Sequence, residues 1–243
     1  MKFKTPDSQP KAQLILALDV NTFKEAKTFI DRLYPAIKIF KVGSQLFTGT
    51  GPKTIDYIHK KGGEVFLDLK FYDIPNTVAN AVRQAASLKV KMLTLHISGQ
   101  EAMLKAAVQA SKECNTGRPL LIGVTVLTSL EAKPEDVVRL ARQAIECGLD
   151  GVVASVQETA MLRQYIHRDF IIVTPGIRLA GATLGDQKRV ATPEEAVEAG
   201  SNFLVAGRPI LEARSPLKAA KEITAACEKF REKELWQKIL RRS

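Results

Sequence analysis

The stretch Phe66-Leu-Asp-Leu-Lys-Phe-Tyr-Asp-Ile-Pro-Asn-Thr77 places three charged residues in a segment that otherwise has the pattern of a buried strand. Side chains two apart on a strand share a face, so Asp68 and Lys70 are predicted to point the same way, opposite the leucines. Asp73 follows where the strand should turn into the next helix. The segment therefore predicts an ammonium group held between two carboxylates at the end of a strand.

Two interpretations of this charge cluster are open. Removing such charges from water is unfavourable, and a buried ion pair rarely adds much stability, although it can fix the register of a strand. The alternative is a catalytic array at the mouth of a sheet or barrel, where charged groups with perturbed pKa values are concentrated.

Outward from this stretch, short apolar runs alternate with amphipathic stretches along the chain of 243 residues. The predicted strands are 14–20, 39–43, 65–70, 92–96, 120–126, 151–155, 171–175 and 203–206. Eight consecutive strand–helix units predict a closed (β/α)8 TIM barrel, an α/β fold. An open doubly wound sheet would usually carry a Gly-rich turn after its first strand, and Asn21-Thr22-Phe23 stands there instead.

The domain prediction is one barrel over 1–243, with a short polar N-terminal segment (1–12) and a basic C-terminal helix (216–243). In such barrels the active site is built at the carboxyl ends of the strands. Polar residues are concentrated at or just beyond those predicted ends: Asp19, Lys41, Asp68, Lys70, His96, Thr128, Ser129, Arg178, Gly207 and Arg208.

The connection after the seventh predicted strand, residues 175–189, and the Gly207-Arg208 pair stand where barrels commonly bind phosphate. Gly207 permits close approach of the backbone to a ligand, and Arg208 can hold two phosphate oxygens at once. The alternative is a mobile surface loop beside a structural arginine.

Composition limits the classes of function. The net charge of +10 is spread along the chain and mixed with glutamates, which disfavours a nucleic-acid-binding module. The positive charge can attract a small phosphate ester.

Residues 228–242 predict a terminal helix packing its apolar side, with a membrane or partner helix as the alternative. No signal peptide or membrane-spanning run is evident, so the expected location is cytoplasmic. The cysteines have neither metal-ligand nor disulfide spacing.

The central stretch resembles the signature of the orotidine 5'-phosphate decarboxylase family, Asp-x-Lys-x-x-Asp followed by Ile-Pro-x-Thr. It is present without a gap as Asp68, Lys70, Asp73, Ile74, Pro75 and Thr77. Other segments are similar to the family's substrate-binding segments and occur in the expected order: Leu18-Asp19, Lys41-Val-Gly, Leu127-Thr-Ser, Pro175-Gly-Ile-Arg, Gly185-Asp-Gln and Gly207-Arg-Pro.

The resemblance implies conversion of orotidine 5'-phosphate (OMP) to UMP and CO2, a carboxy-lyase reaction of pyrimidine biosynthesis with no cofactor and no metal. It implies that Lys70 donates the proton, that Asp68 lies near the substrate carboxylate, and that Asp73 completes the array. The other implied substrate contacts are Asp19 and Lys41 to ribose, Thr128 and Ser129 to the pyrimidine edge, and Pro175, Arg178, Gln187, Gly207 and Arg208 around the phosphate. The resemblance also implies a homodimer in which Asp73, Ile74 and Thr77 reach the partner's active site.

A magnesium-dependent sugar-phosphate enzyme of the same barrel superfamily is the alternative with the most similar motif. Those enzymes share Asp-x-Lys-x-x-Asp but have a glutamate near the end of strand two, where this sequence has Lys41. The lysine disfavours that metal site.

Overall fold

The structure is a computed structural model that describes residues 12–114, 117–127, 130–179 and 190–240, with 229–240 as backbone only. Strands and helices alternate through these ranges. The strands are β1 (Gln13–Ala17), β2 (Ile39–Gly43), β3 (Glu64–Phe71), β4 (Met92–His96), β5 (Leu120–Val124), β6 (Gly151–Val153), β7 (Ile171–Thr174) and β8 (Phe203–Ala206). The helices are α1 (Phe23–Leu33), α2 (Ser44–Thr50), α3 (Lys53–Lys60), α4 (Pro75–Ser87), α5 (Gln100–Lys112), α6 (Pro134–Glu146), α7 (Val156–Tyr165), α8 (Pro193–Glu198), α9 (Arg208–Leu211) and α10 (Pro216–Leu240).

The strands form a closed parallel barrel in sequence order. Each strand pairs with the next, and β1 pairs with β8 through registers such as Leu14↔Leu204 and Leu16↔Ala206. The predicted (β/α)8 TIM barrel is therefore confirmed. All strands point the same way, so their carboxyl ends meet at one rim, and residues distant in sequence converge there.

The strands bury apolar residues on both faces, as expected where helices cover a parallel sheet. A small cluster made only of strand residues fills the barrel interior: Ile15, Ala17, Ile39, Phe66, Met92, Ile122, Val173, Phe203 and Val205. The alternate residues, such as Leu16, Phe40 and Leu67, belong to the larger core between strands and helices. Full burial of a side chain of this kind contributes roughly 1.5–3 kcal/mol, so the two cores together hold the rim in place.

Helix starts are encoded locally. A capping box, in which a Ser or Thr bonds the backbone of a Glu three residues on and that Glu bonds back, opens α1, α7 and α8. The residues forming these boxes are Thr22 with Glu25, Ser155 with Glu158, and Thr192 with Glu195. Proline begins α4, α6 and α8, where its missing N–H leaves no bond unmade.

Two short helices were not predicted from the sequence, α2 after β2 and α9 after β8. Both follow strands whose carboxyl ends carry predicted site residues, so they belong to the loops around the rim. Within the residues that the structure describes, no helix combines the length and apolar character needed to span a membrane. The N-terminal segment of the domain prediction lies almost entirely outside the described residues, and α10 begins at Pro216.

Candidate active site

Polar residues replace apolar ones where the barrel interior reaches its carboxyl-terminal rim. Side chains two apart on a strand share a face, so the residue two beyond an interior residue also points inward. Each polar residue stands two positions after an interior residue of β1 to β4, with Asp19 just beyond the end of β1: Ala17 and Asp19, Ile39 and Lys41, Phe66 and Asp68, and Met92 and Thr94. The pleat of four neighbouring strands thus directs a polar group to the same end of the barrel.

Four charged residues form a chain of alternating sign across this rim. Lys41 Nζ lies 3.0 Å from Asp19 Oδ1 and 3.5 Å from Asp68 Oδ2. Lys70 Nζ lies 2.9 Å from Asp68 Oδ1. Each of the two central groups therefore contacts two groups of opposite charge. This arrangement differs from the predicted one, in which Lys70 lies between two carboxylates. The ammonium that lies between two carboxylates is that of Lys41, and the Asp68 carboxylate lies between two lysines.

Both central groups, Lys41 and Asp68, are largely buried and charged. Burial by itself raises the pKa of the Asp68 carboxyl, but the Lys41 and Lys70 ammoniums outweigh burial, so this pKa lies below its ordinary value. Burial by itself lowers the pKa of Lys41, but the carboxylates of Asp68 and Asp19 outweigh it, so that pKa is raised. The side chains of Lys41 and Asp68 are only 12% and 13% exposed. A permanent charge pattern is thus held at the barrel mouth at neutral pH.

Lys70 is the more accessible of the two lysines in the charge chain and has an unusual backbone. Its side chain is 37% exposed, and its φ of +51° lies in the left-handed region that residues other than glycine seldom adopt. The pairing of β3 with β4 is irregular between Leu67 and Phe71. Strict alternation of side chains consequently breaks at Lys70, although its ammonium still reaches Asp68.

Asp73 stands apart from the charge chain. It is exposed, and its Oδ1 accepts a hydrogen bond from the backbone N–H of Ile74 at 2.7 Å. Within the described residues of this chain Lys70 and Asp73 form no ion pair, so the prediction that Asp73 flanks Lys70 is not met inside one chain. The reason is geometric: Asp73 and Ile74 in the turn from β3 into α4, and Thr77 in the first turn of α4, are exposed at the surface.

The rim at β7 and β8 carries the predicted phosphate residues. Arg178 is buried, and its backbone N–H donates to the Ala191 carbonyl at 2.9 Å, which closes the base of the loop after β7. Arg208 begins α9. Gly207 lies beside the end of β1, because a Cβ added there would be 3.4 Å from Ala17 Cβ and 3.4 Å from Asp19 Oδ2. Pro175 helps to line a cavity of about 230 Å³ together with Ser155, Val156, Gln157, Val190, Ala191 and Glu195.

The sequence model of the family described as "Orotidine 5'-phosphate decarboxylase / HUMPS family" matches residues 12–223 of this chain. The matched range includes every strand of the barrel and all four members of the charge chain. The chain belongs to this family.

Relatives and solved structures agree with this assignment. An orotidine 5'-phosphate decarboxylase from Aliivibrio fischeri (strain MJ11) is 47% identical over 222 residues, covering 87% of this chain and 95% of its own length. One from Vibrio cholerae serotype O1 is 46% identical over 225 residues, covering 88% and 97%. The crystal structure of orotidine 5'-phosphate decarboxylase from Lactobacillus acidophilus superposes with a TM-score of 0.79 at 34% identity, covering 89% of this chain and 99% of that one.

Three residues that the decarboxylase-family motifs suggested, Thr128, Ser129 and Gln187, lie outside the described residues. Of the others, the structure brings together Asp19, Lys41, Asp68 and Lys70, places Gly207 against Asp19, and leaves Asp73, Ile74 and Thr77 on the surface. Among the described residues there is no group of three or more His, Cys, Asp or Glu side chains arranged to hold a metal ion.

His96, at the end of β4, borders the decarboxylase-family residues without joining their ion pairs. Its ring packs edge-on against Tyr72, with centroids 5.7 Å apart. Burial, with a further contribution from the Lys70 ammonium, lowers the pKa of His96 against the opposing effect of Asp68. A neutral, partly buried imidazole therefore supports the rim beside Lys70.

Two site residues were missed from the sequence. Thr94 donates a hydrogen bond to Asp68 Oδ1 at 2.9 Å. Gly43 lies against the charge chain, because an added Cβ would be 3.2 Å from Lys41 Nζ. For Gly43 the signal is available only after strand pairing is known, because Gly43 stands opposite Asp68 on the neighbouring strand.

Proposed function

We propose that this chain decarboxylates orotidine 5'-phosphate to UMP and CO2, as a carboxy-lyase of pyrimidine nucleotide biosynthesis. The observation that carries the proposal is the Asp19–Lys41–Asp68–Lys70 chain at the barrel mouth. It presents one accessible ammonium, that of Lys70, backed by a buried carboxylate that keeps it oriented. Such a fixed positive group suits a reaction in which negative charge develops on carbon.

In the proposed step, the bond between C6 of orotate and its carboxylate carbon breaks, and its electron pair stays on C6. The Lys70 ammonium attracts the developing charge and then transfers one proton to C6, which leaves UMP and a neutral amine. The amine regains a proton from solvent when product leaves. Asp68 lies near the departing carboxylate. The negative charge of Asp68 is balanced by two lysines, Lys41 and Lys70, rather than by one.

The proposed substrate contacts follow the order of groups in a nucleoside 5'-phosphate. Asp19 and Lys41 bind ribose hydroxyls, and Gly207 lies beside Asp19, so a phosphate site at Gly207 and Arg208 is adjacent to the ribose site. The remaining contacts are proposed from the family motifs: Pro175, Arg178 and Gln187 toward the phosphate, and Thr128 and Ser129 at the pyrimidine edge. Binding energy from the phosphate can then contribute to holding the base against Lys70.

The active form is proposed to be a homodimer. Tyr72 and Ile74, at the turn between β3 and α4, are 62% and 66% exposed. Adjacent large apolar side chains at this exposure favour a protein contact. In the dimer, Asp73, Ile74 and Thr77 of one protomer reach the active site of the other, where Asp73 supplies the second carboxylate near Lys70.

The family name also covers sugar-phosphate enzymes, and the magnesium-dependent ones remain the alternative. In this chain the space between the carboxylates of Asp19 and Asp68 is filled by the Lys41 ammonium. A cation site there would place a divalent ion against a fixed positive charge, which is unfavourable. The residues present therefore favour the decarboxylase without a metal or cofactor.

We also propose a cytoplasmic location and OMP as the only partner molecule besides the second protomer. The cysteines Cys114, Cys147 and Cys227 are all unpaired, which suits a reducing compartment. Burial raises the pKa of the Cys227 thiol to about 11, so this group is protonated and unreactive.

The test is an absorbance assay of OMP loss in metal-free buffer, with EDTA added in a parallel reaction. We expect equal rates in both, with one UMP and one CO2 formed for each OMP consumed. A rate that collapses in EDTA and returns with Mg²⁺, or turnover of a hexulose phosphate but not OMP, would assign the chain to the metal-dependent alternative.

A further inference from the structure

The β3–β4 ladder contains a gap next to the charge chain. Phe66 pairs with Met92 and Leu67 with Leu93, but the next pairing joins Phe71 to Leu95. Between these pairings β3 advances by four residues while β4 advances by two. The extra residues bulge out of the ladder, which removes regular backbone partners from that part of β3.

Thr94 fills this gap with its side chain. The Lys70 backbone N–H donates to Thr94 Oγ1 at 2.9 Å, in place of a carbonyl on the neighbouring strand. The Thr94 hydroxyl donates in turn to Asp68 Oδ1, also at 2.9 Å. An amide N–H can only donate and a carboxylate can only accept, so the direction of both bonds is fixed.

This hydroxyl therefore contacts both members of the Asp68–Lys70 ion pair. It accepts from the residue whose φ of +51° is strained, and it donates to the carboxylate oxygen that Lys70 Nζ also contacts at 2.9 Å. A left-handed conformation at a residue other than glycine is unfavourable by roughly 1–2 kcal/mol and persists only when its surroundings hold it. The bond to Thr94 is one such restraint.

We propose that Thr94 is a positioning residue, which holds Lys70 in its left-handed conformation and aligns its ammonium with Asp68 for proton transfer. The inference deepens the proposed decarboxylation and rests on it. Packing alone does not require a hydroxyl here: Thr94 is completely buried, and valine has the same shape. A buried hydroxyl needs hydrogen-bond partners, and both of its partners belong to the candidate site.

The test compares Thr94→Val, which keeps the shape and removes the hydroxyl, with Thr94→Ser, which keeps the hydroxyl. Steady-state turnover of OMP, equilibrium binding of UMP and the crystal structure of each variant are measured. We expect Thr94→Val to lower kcat by about 10- to 100-fold, since small misplacement of a reacting group has effects of this size. KM and UMP affinity should stay within about 3-fold, and Thr94→Ser should stay within about 3-fold of wild type in kcat.

In the Thr94→Val crystal structure, Lys70 should leave the left-handed region or its Nζ should move away from Asp68 Oδ1; in Thr94→Ser it should not. Thr94→Ala gives the same comparison if the valine variant does not fold. The inference is overturned if Thr94→Val keeps both the φ of Lys70 and kcat, or if the serine variant is as impaired as the valine variant. Wild-type protein inactive on OMP would reject the proposed function instead, and the crystal structures would still decide the role in placing Lys70.

Discussion

Lys41 Nζ lies 3.5 Å from Asp68 Oδ2, and this contact joins two separate ion pairs into one chain. Without it, Asp19 and Lys41 would form one pair and Asp68 and Lys70 another. With it, the charge of Asp68 is balanced from two strands, β2 and β3. The Lys70 ammonium is therefore linked by ion pairs to the two residues that are proposed to bind the ribose, Asp19 and Lys41.

Asp68→Asn should change how stability depends on pH. The pKa of Asp68 is lowered by folding, so its contribution is complete above the ordinary value of 3.8 and is lost as pH falls through the lower folded pKa. The variant should lack this acid dependence. At neutral pH it should be less stable by about 2–4 kcal/mol, below the full value for a broken buried pair because Lys70 is partly exposed.

Chemical denaturation at pH values between 2 and 8 measures both effects. Asp136→Asn is the matched control, because it removes a carboxylate that pairs with Arg139 on the exposed surface of α6. At neutral pH, Asp136→Asn should lower the free energy of unfolding much less than Asp68→Asn does. Equal behaviour of the two variants would contradict the assignment of Asp68 as a buried, doubly paired charge.

Lys70→Ala should abolish turnover and leave the fold intact. Loss of a general acid lowers rates by about 10²–10⁴-fold, and Lys70 also stabilises the developing charge, so kcat should fall by at least about 10³-fold. Lys91→Ala is the control: it removes another lysine bound to a carboxylate of β3, that of Glu64 at the opposite end of the strand. Its kcat should match wild type, and a Lys70→Ala variant with near-normal kcat would refute the proton-donor role.

Gly43→Ala should raise KM for OMP. The backbone at Gly43 is extended, with φ of −91°, so alanine is permitted there, but its Cβ would lie 3.2 Å from Lys41 Nζ. Displacement of that ammonium should raise KM by about 10-fold, or 1.4 kcal/mol of binding. Gly49→Ala is the control, since its Cβ would meet the Asn21 carbonyl at an ordinary 3.8 Å. Steady-state kinetics on both variants decides the matter: an unchanged KM in Gly43→Ala would contradict the packing argument.

Arg208→Ala should weaken capture of the phosphate. Charge-assisted bonds from a guanidinium are among the stronger hydrogen bonds, so KM should rise by about 10- to 100-fold. Arg214→Ala, at an exposed arginine six positions further along, should leave KM unchanged. Titration of inorganic phosphate against the two variants gives an independent readout, and equal inhibition of both by phosphate would argue against Arg208 as the anchor.

Ile74→Asp should dissociate the proposed dimer and lower activity with it. A carboxylate at a buried apolar contact loses its hydration, which opposes association. Tyr165→Asp is the control, since Tyr165 is another exposed large apolar side chain and lies on α7, away from the β3–α4 turn. Sedimentation velocity should show a monomer only for Ile74→Asp. A dimer of unchanged affinity in that variant would place the interface elsewhere.

The barrel itself could be predicted from the sequence because each strand–helix unit is specified locally. Apolar runs, a proline at the start of α4 and capping residues such as Thr22 all act within a few positions of each other. The helix α9 was missed because four residues carry too little periodic signal. The helix α2 is only seven residues long and contains Gly49, a poor helix former.

The backbone at Lys70 could not be predicted for a different reason. The alternation of Leu67, Asp68 and Leu69 indicates a regular strand, and the bulge exists only in relation to the partner strand β4. Thr94 was overlooked for the same reason, because a threonine between two leucines is an ordinary strand residue until its hydroxyl is seen to meet Asp68. The charged residues of the site could be identified from their residue type. The residues that orient them could be identified only once the pairing of the strands was known.

The pairing of β1 with β8 has a consequence for synthesis of the protein. Asp19 is translated long before Gly207, which lies against it in the folded barrel. A polypeptide still on the ribosome thus lacks a finished pocket until β8 has been synthesised and can pair with β1. A chain that terminates before β8 should have no partial activity, because its barrel is not closed between β1 and β7.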